Sequence, residues 1–163
     1  MKALVLSDSH GSFQSIMNAV ESEKDISLII FAGDIQRDAD DIAAAYPDIP
    51  FEYVLGNNDW YVNDVPYDRL FEFSGKRIFL THGHRYNVKS GMYTLRQKAH
   101  DVKADICIFG HTHSALIRET DGILMLNPGC ARYSYAVLNI TDSGVNAEIK
   151  NCLLYTSPSP RDR

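Results

Sequence analysis

Residues 2–34 read KALVLSDSHGSFQSIMNAVESEKDISLIIFAGD, and this stretch decides the class of fold. Ala3 to Leu6 and Leu28 to Ala32 are apolar runs without polar alternation, a pattern typical of strands that are covered on both faces. Between them, after the candidate N-cap Ser12, apolar residues repeat with the i, i+3, i+4, i+7 spacing of one helix face. The residues with this spacing are Phe13, Ile16, Met17 and Val20. The stretch therefore predicts a strand, a helix and a second strand.

The same alternation of apolar runs and amphipathic segments continues along the chain. Further strands are predicted at Phe51 to Leu55, Ile78 to Leu80, Ile106 to Phe109 and Ile123 to Leu126. Two more helices are predicted from the helical spacing of Ala39, Ile42, Ala43 and Tyr46, and of Met92, Leu95, Ala99 and Val102. Tyr133 to Ile140 and Val145 to Ile149 flank a turn-like segment and predict a hairpin. The order predicts an α/β protein that begins βαβαβ and contains two packed sheets.

The composition is that of a globular protein of one domain. The chain has 163 residues, of which 45% are hydrophobic, and its formal net charge is -5. This charge argues against an extended nucleic-acid groove, which needs a basic face to neutralise phosphates. No apolar run approaches membrane length, and the residues before Ser7 are too few for a signal-peptide core. We therefore expect a cytoplasmic protein with no stable nucleic-acid binding and no membrane association.

The cysteines and the last residues carry no sign of a disulfide framework or of further structure. Cys107, Cys130 and Cys152 are odd in number, widely spaced and free of CxxC pairing, which predicts reduced thiols. Near the end the chain loses all periodicity and closes with SPSPRDR, a composition that cannot bury a core. We place the domain in residues 1–150 and expect residues 151–163 to form a disordered or non-native tail.

Side chains that can bind metal concentrate in the short loops after the predicted strands. Five of the six histidines lie in these loops, His100 being the exception. Each loop alone also has the composition of an ordinary turn. In α/β sheets, however, ligands bind beyond the carboxyl ends of the strands, so the joint occurrence predicts one shared site. The loops contain Asp8-Ser9-His10, Gly33-Asp34, Gly56-Asn57-Asn58-Asp59, His82-Gly83-His84 and Gly110-His111-Thr112-His113.

The ligand types indicate which metals and which chemistry this site would support. The loops offer nitrogen and oxygen donors without thiolate, which suits manganese, iron, zinc or nickel. So many ligands indicate two ions, and a carboxylate such as Asp34 can bridge ions about 3.5 to 4 Å apart. Water between two such ions loses a proton near neutral pH and becomes a nucleophile, while both ions offset charge on phosphoryl oxygens. We expect two divalent transition-metal ions, with manganese favoured.

The ordered motifs Asp-x-His, Gly-Asp, Gly-Asn-x-Asp, His-Gly-His and Gly-His-x-His resemble those of the calcineurin-like metallophosphoesterases. Their spacing is most similar to that of the small bacterial YfcE/YsnB-type phosphodiesterases, from Lys2 to about Ile140. The resemblance implies a four-layer αββα sandwich of two mixed sheets flanked by helices, and hydrolysis of small phosphodiesters. It implies one ion on Asp8, His10 and His113, a second on Asn57, His82 and His111, and Asp34 as the bridge.

The chain departs from these relatives at Asn58, where many of them carry histidine or cysteine. An amide can orient a phosphate oxygen but cannot deliver a proton at neutral pH, so the leaving group needs water or another residue such as His84 as its acid. Asp59 is predicted either to orient a neighbouring group or to be a solvated turn residue. Cys130 replaces a usual serine, with little expected consequence because it need not touch the metals.

Several residues outside the ligand set are candidates for contacts with substrate. Arg85, Lys89 and Arg132 are cationic side chains that can guide the remaining phosphate group. Specificity is expected to depend on the surroundings of the metals, including Trp60 and Tyr61. The sequence does not select among these candidates.

Two other functions are alternatives to the hydrolysis of phosphodiesters. The phosphoesterase-like subunit of retromer resembles this fold and acts mainly as a binding module, but incomplete ligands mark that lineage and every ligand position is filled here. A metallo-β-lactamase-type hydrolase needs a His-x-His-x-Asp-His run, and the segment Gly110 to Ser114 stops short of it. The resemblance also implies a homo-oligomer, since small phosphoesterases of this sort often form dimers or larger assemblies.

Overall fold

The computed structural model describes residues 1–34, 36–59 and 65–151, and within these ranges the chain forms ten strands and three α-helices. The strands are β1 (Lys2–Leu6), β2 (Ile26–Phe31), β3 (Phe51–Tyr53), β4 (Asp68–Phe73), β5 (Lys76–Thr81), β6 (Ile106–Ile108), β7 (Leu116–Thr120), β8 (Ile123–Asn127), β9 (Ser134–Thr141) and β10 (Gly144–Asn151). The helices are α1 (Phe13–Ser22), α2 (Gln36–Ala45) and α3 (Tyr93–Asp101), and a 3₁₀ turn covers His84–Tyr86. The chain begins βαβαβ, as the sequence predicts.

The first sheet contains five strands in the order β10-β9-β1-β2-β3. β1, β2 and β3 pair in parallel, whereas β9 pairs antiparallel with both β1 and β10. The predicted hairpin is formed by β9 and β10, where Thr141 pairs with Gly144. Because β1, β2 and β3 are parallel, the loops that carry Asp8, Asp34 and Asn57 leave the sheet at the same edge.

The second sheet contains the other five strands, in the order β4-β5-β6-β8-β7. β5, β6 and β8 pair in parallel, and the two edge strands β4 and β7 run antiparallel to their neighbours. The loops that carry His82 and His111 follow the carboxyl ends of β5 and β6. Both sheets are therefore mixed, as the family resemblance implies.

The two sheets pack face to face, and helices cover their outer faces. Val5 of the first sheet shares a buried cluster with Ile78 and Ile106 of the second sheet. Its neighbour Leu4 points to the opposite side and packs in a second cluster with Ile16 of α1. This change of side between consecutive residues is the two-residue period of a strand, so an apolar run without alternation marks a strand buried on both faces.

The helix α3 completes the fourth layer. Leu95 and Ala99 pack in a third buried cluster with Phe79 of β5 and Cys107 of β6, on the outer face of the second sheet. The predicted four-layer αββα sandwich is confirmed. None of the described helices is long and apolar enough to cross a bilayer.

The structure differs from the sequence predictions at several elements. The edge strands β4 and β7 were not predicted, because their exposed positions interrupt the apolar runs. Ser12 stands at the N-cap of α1, but its side chain makes no cap hydrogen bond and its Oγ accepts one from Arg132 Nε at 3.2 Å. Asn151, which was predicted to begin the tail, pairs with Ser134 in the sheet. Residues 152–163, which hold the rest of the predicted tail and Cys152, lie outside the described residues.

A buried carboxylate ties the end of α1 to three strands of the first sheet. The Glu23 side chain is 4% exposed and accepts hydrogen bonds from Tyr135 Oη at 2.7 Å and Lys150 Nζ at 2.9 Å. Lys2 Nζ lies 3.5 Å from its other oxygen. Burial raises the pKa of Glu23, but the hydrogen bonds and the two ammonium charges outweigh this effect, so the pKa is lowered overall.

Glu23→Gln is therefore expected to destabilise the protein near neutral pH but not in acid. A carboxyl with a lowered pKa stabilises the fold above its unfolded pKa, and this contribution is lost as the pH falls through the folded pKa. Losing hydrogen bonds to a charged group should reduce the free energy of unfolding at pH 7 by about 1.5 to 3 kcal/mol. Urea unfolding at pH 7 and pH 3 measures this, with exposed Glu72→Gln as the control. If Glu23→Gln lowered the free energy of unfolding by the same amount at both pH values, the charge of Glu23 would not be the cause.

Candidate metal centre

The five loops predicted to carry ligands converge where corresponding edges of the two sheets meet. Backbone hydrogen bonds hold them together: Asp8 N donates to Gly33 O at 2.9 Å, and Gly110 N donates to His82 O at 2.9 Å. Five of the seven predicted ligands have positive φ, between 45° and 70°. Residues other than glycine rarely adopt this conformation, and such strain concentrates at functional sites. These five are Asp8, His10, Asp34, His111 and His113.

Asp8, His10 and His113 form the first ligand group. Their donor atoms all lie within 4.8 Å of one another. The Nε2 atoms of His10 and His113 are 3.2 Å apart, and Asp8 Oδ1 is 3.3 Å from His113 Nε2 and 3.9 Å from His10 Nε2. Zinc binds such nitrogen and oxygen atoms at about 2.0 to 2.2 Å, which places neighbouring donors roughly 3 Å apart. The first ligand group therefore has the spacing of a metal site.

The carboxylate of Asp8 tests whether a cation fits this position. Its Oδ2 accepts hydrogen bonds from Ser7 Oγ at 2.7 Å and from His111 N at 2.9 Å. Its Oδ1 is buried and has no hydrogen-bond partner among the described residues. That oxygen faces imidazole nitrogens of both sheets, since His82 Nε2 is also only 3.5 Å away. A buried carboxylate oxygen is costly when unpaired, and a cation among these imidazoles would satisfy it.

Asn57, His82 and His111 form the second ligand group. His82 is fully buried, and its Nδ1 lies 2.8 Å from Ala32 O, an acceptor to which Nδ1 must donate. In the neutral imidazole Nε2 is then an acceptor, and it lies 3.0 Å from Asn57 Oδ1, also an acceptor. Two acceptors at this distance repel unless a cation lies near both. The His111 ring completes the group, with its centroid 5.0 Å from that of His82.

Asp34 lies between the two ligand groups. Its Oδ2 is 3.9 Å from His10 Nε2, and its carboxylate also clusters with Asp8 and His82 within 4.8 Å. Both of its oxygens accept hydrogen bonds from Asn58, Oδ1 from the backbone N at 2.8 Å and Oδ2 from Nδ2 at 2.7 Å. Asp34 is therefore within reach of donors of both ligand groups, as a bridging ligand would have to be.

His111 of the second ligand group is poised to bind metal as a neutral ring. Burial, followed by the charges of His82 and Lys89, lowers the pKa of His111 to about 4. Metal ions bind the neutral imidazole, so no proton need be displaced from His111 near neutral pH. Burial also lowers the pKa of His84, with smaller contributions from His82 and Arg85.

His84, the predicted alternative acid, lies beside the second ligand group. Its ring centroid is 5.5 Å from that of His82 and 5.6 Å from that of Tyr67. Its Nδ1 is buried without a hydrogen-bond partner among the described residues. Because its pKa is lowered, His84 is a neutral imidazole near pH 7, which donates a hydrogen bond but gives up its proton less readily than an imidazolium.

Asp59 is buried rather than solvated, and it holds two ligand loops in place. Its Oδ2 accepts hydrogen bonds from Gly56 N at 2.8 Å and from Asp34 N at 3.2 Å. The close approach of these loops requires glycine, since a Cβ on Gly56 would lie 2.5 Å from Asp34 Oδ1. Of the two alternatives for Asp59, these contacts favour the one that orients a neighbouring ligand.

Other predicted contact residues lie around the rim of the site. The Arg85 guanidinium carbon is 5.1 Å from the centroid of the Tyr67 ring, a cation–π contact. Arg132 contacts Ser12 near the first ligand group, and Lys89 is close enough to His111 to affect its pKa. Trp60 and Tyr61 lie outside the described residues.

Several residues that orient the candidate ligands were not predicted from the sequence. Ser7 holds Asp8, as described above, and Asn127 Nδ2 donates to Gly110 O at 3.2 Å and Thr112 Oγ1 at 3.0 Å, which fixes the His111 loop. Cys130, expected to be of little consequence, donates from Sγ to Asp8 O at 3.2 Å. Of these residues, Asn127 carries a signal in the sequence, because it begins the turn-like segment Asn127-Pro128-Gly129.

Comparison with known proteins agrees with this geometry. The model of the calcineurin-like phosphoesterase superfamily domain matches residues 1–143. The probable metallophosphoesterase YsnB of Bacillus subtilis is 31% identical over 149 residues, which cover 86% of this chain and 85% of that protein. Phosphodiesterase MJ0936 of Methanocaldococcus jannaschii is 28% identical over 159 residues, covering 82% and 86% respectively.

Among solved structures, wild-type Vps29 complexed with Zn²⁺ from Entamoeba histolytica has the same fold. Its TM-score is 0.78 at 23% identity, covering 96% of this chain and 95% of that one. The family match over most of the chain and the YsnB relative establish the family, whose members use divalent metals. The chain therefore belongs to the calcineurin-like phosphoesterase superfamily of metal-dependent phosphoester hydrolases, and resembles its YsnB-type members.

Proposed function

We propose that this chain is a phosphodiesterase that hydrolyses small phosphodiesters with two divalent transition-metal ions. The observation that carries the proposal is the buried Oδ1 of Asp8, which has no hydrogen-bond partner in the described part of the chain and faces imidazole nitrogens of His10, His82 and His113. Such an arrangement is unfavourable for the protein alone and suits a cation. The name of the relative MJ0936, a phosphodiesterase, supports the same class of substrate.

The ligands divide into two positions in this proposal. The first ligand group would hold one ion and the second ligand group the other, with Asp34 within reach of both. When bound, the two ions activate water for attack on phosphorus and offset the charge of the phosphoryl oxygens. Imidazole, carboxylate and amide donors suit manganese first, with iron, zinc and nickel as alternatives.

Two neighbouring side chains would bind the substrate. The Asn58 amide, which donates to Asp34 Oδ2 at 2.7 Å, is exposed and close enough to turn toward a phosphate oxygen. His84 lies on the other side, next to His82 and His111, where its N–H can contact the leaving group. Neither the Asn58 amide nor the neutral His84 imidazole is a strong proton donor near pH 7, so water remains the alternative proton source.

The proposal is tested by restoring activity with metal. Protein stripped with a chelator should not hydrolyse bis(4-nitrophenyl) phosphate, and added Mn²⁺ should restore turnover. Parallel additions of Fe²⁺, Zn²⁺ and Ni²⁺ rank the metals, and a library of phosphodiesters and phosphomonoesters then identifies the substrate class. Failure of every metal to bind would contradict the metal centre, and turnover of monoesters alone would contradict the diesterase assignment.

Because neither side chain is a strong general acid, the rate of hydrolysis is expected to depend strongly on the pKa of the leaving group. General-acid catalysis contributes roughly 10² to 10⁴-fold, so without it an aryl leaving group poorer by a few pKa units should react roughly 10²-fold more slowly. Rates of a series of substituted aryl phosphodiesters, plotted against leaving-group pKa, measure this. Asn58→His is the matched variant, expected to raise the rates of poor leaving groups most. A flat plot for the wild-type protein would show that a proton donor is present.

The second candidate is a metal-binding scaffold without turnover, which the fold shared with Vps29 supports. Bound metal with no activity on any phosphoester would favour it. The net charge of -5 favours small substrates over nucleic acid in either case. We also propose a homo-oligomer, which analytical ultracentrifugation tests.

A further inference from the structure

The loop that carries His10 adopts a conformation that its own sequence does not favour. Asp8, His10 and Gly11 have φ values of 55°, 45° and 83°. Two of these three residues are not glycine, so contacts from outside the loop must hold the backbone in this shape. Asp8 N and Ser9 N donate to Gly33 O and Asp34 O, at 2.9 Å and 3.0 Å, and fix the first part of the loop.

The second part of the loop is held by one carboxylate oxygen. Asp38 lies in the first turn of α2 and is 6% exposed. Its Oδ2 accepts hydrogen bonds from Ser9 Oγ at 2.5 Å and from Gly11 N at 2.9 Å. The residues before and after His10 are therefore bound to the same atom.

The His10 side chain depends on this backbone anchor. Its imidazole is about a third exposed, and its polar contacts within the described ranges are with His113, Asp8 and Asp34, the other members of the centre. His82 differs, because its ring is held through Nδ1 by Ala32 O. Metal-binding histidines usually have such a partner, and its loss weakens metal binding. For His10 the backbone of its loop has to supply the same orientation.

We propose that Asp38 is the positioning residue for His10 and sets the affinity of the first ligand group for its ion. The inference rests on the proposed metal centre and adds to it a residue from α2 that touches neither ion. It follows that Asp38 affects one of the two metal positions and leaves the other unchanged.

Metal titration of the 163-residue chain tests the inference, with free Mn²⁺ followed by its EPR signal. The wild-type protein should bind two ions. Asp38→Ala should weaken one of them by roughly 10 to 100-fold, as loss of an orienting partner does, and leave the second unchanged. Asp38→Asn keeps an oxygen that accepts both hydrogen bonds and should retain affinity within a few-fold. Asp41→Ala, an exposed residue of the same helix, is the control.

A double-mutant cycle identifies the affected position. In a His10→Ala background, Asp38→Ala should cause no further loss of Mn²⁺ binding, because its effect acts through His10. If Asp38→Ala fails to fold, Ser9→Ala removes only one of the two hydrogen bonds and should weaken the same ion by a smaller factor. The inference would be overturned if Asp38→Ala bound two Mn²⁺ ions with wild-type affinity. It would also be overturned if Asp38→Asn lost as much Mn²⁺ affinity as Asp38→Ala. A wild-type protein that binds no Mn²⁺ would instead contradict the proposed metal centre.

Discussion

Asp34→Asn is expected to lower turnover of bis(4-nitrophenyl) phosphate by at least roughly 10³-fold, or about 4 kcal/mol in transition-state stabilisation. Asp34 is the carboxylate that lies between the two ligand groups, and its Oδ2 is 3.9 Å from His10 Nε2. An amide offers only one weak, uncharged donor oxygen, so it could not replace a carboxylate that would contact both cations of the proposed centre. Steady-state rates with saturating Mn²⁺ measure the loss.

The fold should largely survive this substitution, because asparagine has almost the same shape as aspartate. Thermal unfolding of the metal-stripped proteins checks this. Asp142→Asn, at an exposed position of the β9–β10 turn, is the control for loss of one negative charge. Activity retained by Asp34→Asn would count heavily against the proposed centre.

Gly110→Ala is expected to abolish metal binding at the first ligand group and to destabilise the protein. A Cβ at this position would overlap Ser7 Oγ and lie 2.7 Å from Asp8 Oδ2. Ser7 Cβ is only 2.9 Å away, so rotating the Ser7 hydroxyl does not make room. Either the His111 loop moves outward or Asp8 leaves its position, and both changes separate Asp8 from His113. We expect the free energy of unfolding to fall by about 1 to 3 kcal/mol, as in other overpacked sites.

Mn²⁺ titration and urea unfolding of Gly110→Ala measure the two effects separately. Ser114→Ala, at an exposed position of the same loop, is the matched control and should bind two ions with normal stability. If Gly110→Ala bound both ions with wild-type affinity, the close contact between the His111 loop and Asp8 would not be needed for the site.

The sequence predicts the buried strands well because their environment leaves a simple signal. β1 and β2 are covered by the other sheet on one face and by helices on the other, so their residues are apolar almost throughout. The edge strands β4 and β7 carry exposed positions in their sequences DRLFEF and LIRET. Their pairing depends on a neighbouring strand, and the sequence shows only weak alternation there.

The convergence of the five candidate ligand loops could likewise be predicted, because loops at the carboxyl ends of parallel strands meet at one edge. The groups that orient the candidate ligands could not be predicted from the sequence. Asp38 reaches Ser9 across 29 residues of chain, and Ala32 O contacts His82 across 50 residues. These partners are ordinary polar or backbone atoms whose role appears only when the sheets and helices are packed. Asp59 is an example, since the sequence around it fits a solvated turn residue as well as a buried residue that holds two loops.

The position of the proposed centre between the two sheets would couple metal binding to the stability of the whole sandwich. Asp8 and Asp34 follow strands of the first sheet, whereas His82 and His111 follow strands of the second. Ions bound by both sets of residues would join the two layers, because the complete set of donors exists only while the layers are stacked. A chelator would therefore lower the stability of the fold as well as abolish the activity of the site.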